Sequence, residues 1–283
     1  MSWQLLTLIS ILVFSSSTIL HRILMKDRAS DPYTQTIVMY GLAGILSLVI
    51  SVVLGRFHYQ FTINQLLLLI PLAGCISGGS VLLFKALQTL GASESSILKS
   101  VQNLWVVFGA FILLGEPFSM MKVAGTIVIM LGIAVALWKR NQLTFGRGSL
   151  LIIISTLLYS SSDLLALFFV RDFDPLSLLV YISFLPVIVL VILRPQSITK
   201  ISFYFKPSRA LAMGLLVLID IVGTLSVYTA YQVGRNAAQI GPLMGTITIV
   251  SVLMAIVFLK ERDNMINKLI GALIVVAGVW MLL

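Results

Sequence analysis

Apolar residues fill this chain in stretches of about 20, and short connections separate them. A helix of roughly 20 apolar residues crosses the hydrocarbon core of a bilayer and satisfies its own backbone hydrogen bonds there. The pattern therefore predicts an all-α integral membrane protein with ten transmembrane helices. These stretches, named spans 1 to 10, are Trp3–Leu24, Tyr33–Leu54, Gln65–Leu87, Ser93–Leu114, Ser119–Trp138, Gly148–Val170, Leu176–Leu193, Ala210–Val233, Ala237–Leu259 and Met265–Leu283.

The second half of the chain repeats short motifs of the first half in the same order. A glutamate follows span 4 in Leu114-Gly115-Glu116 and span 9 in Leu259-Lys260-Glu261, and the next span of each half carries two glycines seven residues apart. The other matches are Phe14-Ser15-Ser16-Ser17 with Tyr159-Ser160-Ser161-Ser162, Asp31-Pro32 with Asp174-Pro175, and Gly79-Ser80 with Gly223-Thr224. Their common order predicts two five-helix repeats, residues 1–142 and 143–283.

Each predicted repeat holds five spans, an odd number, so the second repeat enters the membrane from the opposite side to the first. Inverted repeats of this kind build carriers that hold a substrate between the two halves and expose it to each side in turn. We therefore expect two inverted five-helix repeats around a central cavity.

On these motifs the chain resembles the drug/metabolite transporter superfamily, and specifically its EamA-type members. The resemblance covers essentially the whole chain, and it rests on the order and spacing of the glutamates after spans 4 and 9 and of the paired glycines in spans 5 and 10. It implies a central cavity lined by spans 1, 3, 4, 6, 8 and 9, with spans 5 and 10 at the periphery. Members move amino acids, other metabolites, nucleotide-sugars or drugs, so the resemblance implies transport without naming a substrate.

Composition favours a membrane protein without a soluble domain. The chain is 59% hydrophobic and 10% charged, against about 25% charged residues in soluble domains. The formal net charge of +9 lies mainly in short loops that meet lipid head groups, so we expect membrane lipid and no nucleic acid as a partner.

Cys75 is the only cysteine, which excludes an intramolecular disulfide. We expect no metal and no cofactor, and we interpret the first apolar run as a membrane helix and not as a cleaved signal.

Two expectations for the orientation of the termini conflict. Most lysines and arginines lie in loops after odd-numbered spans, whereas four lie on the other side: Arg56, Lys122, Arg171 and Arg235. The positive-inside rule then places both termini outside, and the family resemblance implies that both are inside. The charge count carries somewhat more weight for this chain. In either orientation we expect a multi-pass protein of a prokaryotic inner (plasma) membrane.

Polar side chains within the spans are the candidates for substrate contacts, because a charge near the bilayer centre costs roughly 2.5–3.5 kcal/mol on insertion scales. Four spans gather them on one helical stripe: Ser10, Phe14, Ser17 and His21 in span 1, Ser95, Lys99, Gln102 and Asn103 in span 4, Ser155, Tyr159, Ser162 and Asp163 in span 6, and Asp220, Gly223, Thr224, Tyr228 and Tyr231 in span 8. Such stripes are typical of the wall of a wet cavity. The candidate substrate-binding residues are Phe14, Ser17, Phe84, Lys85, Lys99, Gln102, Asn103, Tyr159, Asp163, Asp220, Thr224, Tyr228 and Tyr231.

Several candidates have a plain structural alternative. Serine, threonine and glycine in membrane helices are more often packing residues than ligands. Lys85 lies close to the end of span 3, from which its long side chain could reach the interface. Glu116 and Glu261 lie at helix ends, where we expect structural roles. Asp163 and Asp220 have side chains too short to reach the interface, so for them we favour a role in the cavity.

The charged candidates allow two interpretations. Two lysines and two aspartates could neutralise each other between the halves, or they could hold a zwitterion, with lysine on its carboxylate and aspartate on its ammonium group. Aromatic surface for stacking or cation–π contacts would come from Tyr159, Tyr228, Tyr231, Phe84 and Trp105. Asp163 and Asp220 are also the candidates for proton coupling, because burial favours the neutral form of a carboxyl group.

The leading hypothesis is a secondary active transporter that moves a small polar, amino-acid-like metabolite by alternating access. A multidrug or organic-cation exporter would suit the same aspartates and tyrosines, and the third hypothesis is an intramembrane enzyme or a scaffold protein. The chain lacks His-Glu-x-x-His, Gly-x-Ser-x-Gly and Walker motifs, which argues against an enzyme and against a nucleotide-driven pump. Substrate, direction, coupling ion and oligomeric state stay open at this point.

Overall fold

The computed structural model describes residues 2–25, 31–58, 60–87, 97–138, 146–171, 173–258 and 265–283, and the regular structure in these ranges is helical. The helices are α1 (Trp3–Met25), α2 (Pro32–Val53), α3 (Ile63–Leu87), α4 (Gln102–Leu114), α5 (Met120–Leu137), α6 (Arg147–Val170), α7 (Pro175–Leu193), α8 (Pro207–Gly234), α9 (Ala237–Met244), α10 (Ile247–Phe258) and α11 (Met265–Leu282), with a 3-10 helix at Pro195–Phe205. The predicted all-α class is confirmed over these ranges.

Nine helical stretches of the described ranges are long and apolar enough to cross a membrane. The remaining predicted span, span 1, corresponds to α1, in which Trp3–Ser17 forms an apolar helical stretch. Some sequence motifs fall outside what the structure describes: residues 88–96 with Ser95, residues 259–264 with Glu261, and the side chain of His21.

The repeated Asp-Pro dipeptides start helices α2 and α7. The side chain of Asp31 accepts a hydrogen bond from the backbone N–H of Thr34 at 3.0 Å, and Asp174 accepts one from the N–H of Leu176 at 2.9 Å. A carboxylate at this position satisfies an N–H group that has no partner within the helix. The proline that follows each aspartate is tolerated there because the first turn does not need its N–H group.

Spans 4 and 9 are each interrupted at similar positions, where the sequence predicts continuous helices. Span 9 consists of α9 and α10, which are separated at Gly245 and Thr246. In span 4 a helical turn at residues 97–99 precedes α4, which begins only at Gln102. Pro242 weakens span 9 just before its break, because proline lacks the N–H group that a helix interior requires. Both breaks lie next to each other, since a Cβ on Gly245 would be 2.2 Å from Nδ2 of Asn103.

The two halves of the chain interlock through equivalent helix pairs. Helix α1 packs on α8, and α3 packs on α6. Since α1 corresponds to α6 and α3 corresponds to α8 in the two halves, these two helix pairs are equivalent. Ser10 on α1 donates a hydrogen bond to the carbonyl of Gly223 at 2.9 Å, and Ser155 on α6 donates one to the carbonyl of Gly79 at 2.7 Å. The repeated sequence motifs therefore make the same contact twice.

Helices α2 and α7 pack against each other in opposite directions. Arg56, which follows α2, donates from Nε to the carboxylate of Asp174 at the start of α7 at 3.0 Å. At the other end, Arg194 follows α7 and lies 3.8 Å from the carboxylate of Asp31 at the start of α2. The end of each helix thus meets the beginning of the other, so the pair is antiparallel.

Helices α5 and α11 pack along their backbones, and we call this contact the α5–α11 seam. A Cβ atom on Gly132 would lie 2.8 Å from the carbonyl oxygen of Gly271, and one on Gly125 would lie 3.1 Å from that of Gly278. Glycine allows two helix backbones to approach this closely. Since the earlier glycine of α5 meets the later glycine of α11, this pair is antiparallel as well.

Candidate functional site

A cavity of about 410 Å³ lies between the two halves and is lined by helices of both. Charged and aromatic side chains of α6 and α8 face charged and polar side chains of α1 and of the region where α4 begins. The predicted site residues that line it are Phe14, Ser17, Lys99, Gln102, Tyr159, Asp163, Asp220, Thr224, Tyr228 and Tyr231. Their role in substrate binding stays a prediction, but the structure brings them together in one space.

Three predicted site residues do not line this cavity. Phe84 is buried elsewhere in the bundle. Lys85 donates a hydrogen bond to the hydroxyl of Tyr33 at 3.2 Å, and its ammonium group lies 5.2 Å from the centre of that ring. Asn103 faces a neighbouring chamber. Trp105, considered above for stacking, is 45% exposed and donates to Ser161 at 3.2 Å, so it lies outside the cavity as well.

Helices α2 and α7 also line the cavity, which the sequence did not predict. The contributing residues are Met39, Tyr40 and Ala43 on α2 and Leu179, Ile182 and Ser183 on α7. Tyr40 forms hydrogen bonds with Ser80 and with Tyr159, and Ser80 and Tyr159 are 2.6 Å apart. Apart from Tyr40 and Ser183 these residues are apolar, so this part of the wall carries no polar stripe that a sequence pattern could show.

The carboxylate of Asp220 is held between the halves. Ser17 on α1 donates a hydrogen bond to Oδ1 of Asp220 on α8 at 2.5 Å. A hydroxyl donor fixes the direction of the carboxylate oxygen that accepts its hydrogen bond. The serine and aspartate stripes predicted for spans 1 and 8 therefore meet at one hydrogen bond in the cavity wall.

Lys99 and Asp163 give the cavity opposite charges on neighbouring helices. Their charges interact, and the ammonium group of Lys99 lies 6.0 Å from the centre of the Tyr159 ring. Among the residues that the structure describes, no ion pair within 4 Å joins Lys99 to Asp163. Both groups therefore line the same space without a direct bridge between them.

A second space of about 170 Å³, which we call the side chamber, adjoins the central cavity. The two spaces share Lys99, Gln102, Met244 and Ile247 in their walls. The family resemblance implies peripheral spans 5 and 10, and neither α5 nor α11 contributes to the central cavity. Helix α5 nevertheless reaches the side chamber through Ile133 and Leu137.

At one end of the bundle, polar contacts tie the two halves together, and we call it the Glu116 end. Gly115 closes α4 with a left-handed φ of 66°, which turns the chain so that Glu116 follows the helix inward. The buried Glu116 carboxylate accepts hydrogen bonds from the backbone N–H groups of Ala237 and Ala238, the latter at 3.0 Å. Negative charge is favourable at these first N–H groups of α9.

Two further contacts reinforce the Glu116 end. Arg171 at the end of α6 donates to the carbonyl of Leu114 at 2.8 Å, and Lys122 on α5 donates to the side chain of Asn236 at 2.7 Å. A pocket of about 20 Å³ lies at this end and shares Leu167 and Tyr231 with the wall of the central cavity. A space of that size has room for one water molecule.

The part of the chain that the structure describes contains no group of three or more His, Cys, Asp or Glu side chains that could hold a metal ion. The chemistry available in the cavity is therefore that of one lysine, two aspartates, several tyrosines and neutral polar groups.

Comparison with known proteins agrees with this architecture. No curated protein sequence matches the chain. One solved structure, described only as a crystal structure of a protein, matches with a TM-score of 0.77 at 17% sequence identity and covers 99% of this chain and 95% of its own; at that identity the likeness concerns the fold. The EamA-like transporter family matches twice, at residues 1–138 and 146–283. The resemblance predicted from the sequence is thereby confirmed: the chain belongs to the EamA-like transporter family of the drug/metabolite transporter superfamily and is a multi-pass membrane transporter of small molecules.

Proposed function

We propose that the protein is a secondary active transporter that moves a small polar, amino-acid-like metabolite across a prokaryotic inner membrane by alternating access. The observation that carries this proposal is the central cavity, in which Lys99 and the aspartates Asp163 and Asp220 line one space between the two halves. Charges inside a membrane protein are retained at substrate and ion pathways, because they are unfavourable elsewhere.

The charges and the aromatic groups suit a zwitterion with an apolar side chain. Asp163 and Asp220 would attract its ammonium group, and Lys99 would attract its carboxylate. The rings of Tyr159 and Tyr228 offer faces for a cation or a flat group. The apolar residues of α2 and α7 form another part of the wall, and the volume of about 410 Å³ falls in the range of small-molecule sites.

Alternating access rests on an inverted repeat. The antiparallel pairs α2–α7 and α5–α11 support it, since each pair joins equivalent helices of the two halves. Two halves related in this way can exchange conformations, so a space closed towards one side in one state opens towards that side in the other.

The Glu116 end fits the role of a closed gate. Between the cavity and this end lies an apolar cluster that includes Leu114, Leu167, Ala237 and Ala238. The Glu116 carboxylate holds the last two of these residues by their backbone N–H groups. To open this end, the protein would have to break these hydrogen bonds and separate the apolar residues.

Uptake into proteoliposomes tests the proposal. The purified full chain is reconstituted, and uptake of each of the twenty radiolabelled amino acids is measured with and without a pH gradient. We expect saturable uptake of at least one amino acid, stimulated by the gradient because Asp163 or Asp220 carries the coupling proton. Lys99→Gln and Asp163→Asn should each reduce this uptake at least tenfold. Uptake no greater than in protein-free liposomes for all twenty would contradict the proposal.

A second candidate function is export of organic cations. It is favoured by the excess of aspartate over lysine in the cavity and by its tyrosines, because aromatic faces and carboxylates together bind organic cations. The same proteoliposomes decide between the two. If tetraphenylphosphonium is transported and amino acids are not, and if Lys99→Gln leaves that transport intact, the protein is an organic-cation exporter.

A further inference from the structure

The side chamber lies where the two interrupted spans meet. It is bordered at the break of span 4 by Lys99, Ser100, Gln102 and Asn103, and at the break of span 9 by Gly245, Ile247 and Thr248. Interrupted membrane helices place backbone ends at the depth of a transport site, where an unbroken helix would offer only side chains. The chamber is thus built differently from the rest of the cavity wall.

Two helices begin at this chamber. Gln102 and Asn103 are the first residues of α4, and Ile247 and Thr248 are the first residues of α10; all four line the chamber. The N-terminus of a helix carries a partial positive charge and favours an anion. Val101 precedes α4 and offers no side-chain oxygen to cap it. The N–H group of Asn103 donates to the carbonyl of Ser100, and that of Thr248 donates to the carbonyl of Gly245. At these residues the helix starts therefore contribute their partial positive charge and not a free N–H donor.

Side chains in the chamber wall point to the same chemistry. Asn103 is 2% exposed, and its Nδ2 amide group has no hydrogen-bond partner. A buried donor without a partner costs about 1–3 kcal/mol, and a ligand that accepts its hydrogen bond would recover that energy. Among the described residues that line the chamber, Lys99 is the charged one, and it also lines the central cavity. The two aspartates lie in the central cavity and not in the chamber wall.

We propose that the side chamber is an anion subsite that takes the carboxylate group of the transported molecule, held by Lys99, by the amide of Asn103 and by the starts of α4 and α10. The inference rests on the proposed function and extends it, because it assigns the two ends of the substrate to two places. The carboxylate enters the chamber, and the ammonium group stays with Asp163 and Asp220 in the central cavity. The apolar side chain then lies along α2 and α7.

Three probes that share a phenyl ring and differ in charge test the subsite: phenylacetate, phenylacetamide and phenethylamine. Their binding to the purified full chain in lipid nanodiscs is measured by thermal shift and by calorimetry, in a Tris methanesulfonate buffer that contains neither chloride nor a carboxylate. We expect phenylacetate to bind at least tenfold more tightly than phenylacetamide. Lys99→Gln and Asn103→Asp should each weaken phenylacetate binding at least tenfold, because the first removes the cation and the second places a negative charge in the chamber. Neither change should weaken phenethylamine binding.

Lys200→Gln is the matched control, since Lys200 lies exposed on the 3-10 helix, and it should leave binding of all three probes within twofold of wild type. Equal binding of phenylacetate and phenylacetamide, or phenylacetate binding that Lys99→Gln does not change, would overturn the subsite. Addition of chloride separates a substrate carboxylate from a free inorganic anion. If chloride binds in a Lys99-dependent manner and phenylacetate does not, the carboxylate assignment is wrong.

These outcomes are independent of the uptake experiment. Absence of amino-acid uptake together with Lys99-dependent phenylacetate binding would contradict the proposed substrate and leave the anion subsite in place. Amino-acid uptake together with equal affinity for acid and amide would retain the transporter and remove the subsite.

Discussion

The two halves of this chain meet in two very different ways. At the α5–α11 seam they meet through glycine backbones, with the Gly132 and Gly271 backbones too close for any Cβ between them. Around the central cavity they meet through polar side chains and open space, as in the hydrogen bond from Ser17 to Asp220. Close packing makes an interface resist small shifts, whereas a cavity wall can move without losing packed atoms. We infer that the seam holds the halves together while the cavity changes its access.

The first and largest expected effect concerns the seam. Gly132→Leu adds a side chain whose Cβ alone would lie 2.7 Å from Cγ2 of Val275 and 2.8 Å from the carbonyl oxygen of Gly271. Overpacking of this kind costs about 1–3 kcal/mol and more where backbone has to move, so we expect a loss of about 3 kcal/mol. Thermal unfolding of the purified protein in one detergent measures it.

Gly41→Leu is the control for the seam, because a Cβ on Gly41 would meet no atom within 4 Å. Leucine has a higher helix propensity than glycine by roughly 0.8 kcal/mol, so this variant should unfold at the wild-type temperature or above it. If both leucine variants unfold at the same temperature, the seam contributes no special stability, and the contrast with the cavity disappears.

The second prediction concerns the cavity. Asp220→Asn keeps an oxygen that accepts the hydrogen bond of Ser17 and removes the charge. If Asp220 binds an ammonium group or carries the coupling proton, uptake should fall at least tenfold, which corresponds to about 1.4 kcal/mol. The unfolding temperature should change much less than in Gly132→Leu. Uptake and thermal unfolding of the same preparation separate a functional role from a structural one.

Asp31→Asn is the matched control, since Asp31 starts α2 at the edge of the bundle and asparagine starts helices equally well. Its uptake should stay within twofold of wild type. A parallel fall of stability and uptake in Asp220→Asn would show that the Asp220 carboxylate holds the halves together, because a hydrogen bond to a charged acceptor such as that from Ser17 is stronger than one to a neutral amide. Full uptake at unchanged stability would leave Asp220 with neither role.

The sequence predicts the membrane architecture well because bilayers impose strict rules on it. A run of about 20 apolar residues has few alternatives to a helix, and the repeated Asp-Pro and Gly-x6-Gly motifs recur at equivalent contacts in both halves. The polar stripes also lead to the cavity, because polar groups turned towards lipid would be unfavourable. Tyr228 and Thr224 are examples, since both were placed on one stripe of span 8 and both line the cavity.

Other features depend on how distant segments fit together, and periodicity cannot show that. The breaks near Val101 and Gly245 lie in stretches whose hydropathy is that of continuous helices. Phe84 and Lys85 belong to α3, yet the residue of this helix that lines the cavity is Ile76. Glu116 was expected to be structural from its place at a helix end, and its bond to the start of α9 links residues 121 positions apart. Only the packed structure reveals which segments that bond joins.

The smallest expected effect concerns the Glu116 end, the contact between the halves that alternating access would have to break. Glu116→Gln leaves one oxygen for one of the two N–H groups of Ala237 and Ala238 and turns a donor towards the other. One lost hydrogen bond of this kind is worth about 1 kcal/mol. The population open at this end should therefore rise about fivefold.

A thiol placed behind the gate measures this population. Leu167 lines both the central cavity and the narrow space below Glu116, so Leu167→Cys in a Cys75→Ala background reports access through this end. A membrane-impermeant maleimide added from the Glu116 side should label it about fivefold faster when Glu116→Gln is also present. Arg56→Gln removes a contact at the same end that joins α2 to α7 and does not touch α9, and it should leave the labelling rate unchanged. If the two variants accelerate labelling equally, the end has merely loosened, and Glu116 is no gate. If neither variant accelerates labelling, the cavity opens elsewhere. In that case the α5–α11 seam and the Glu116 contact belong to one rigid unit.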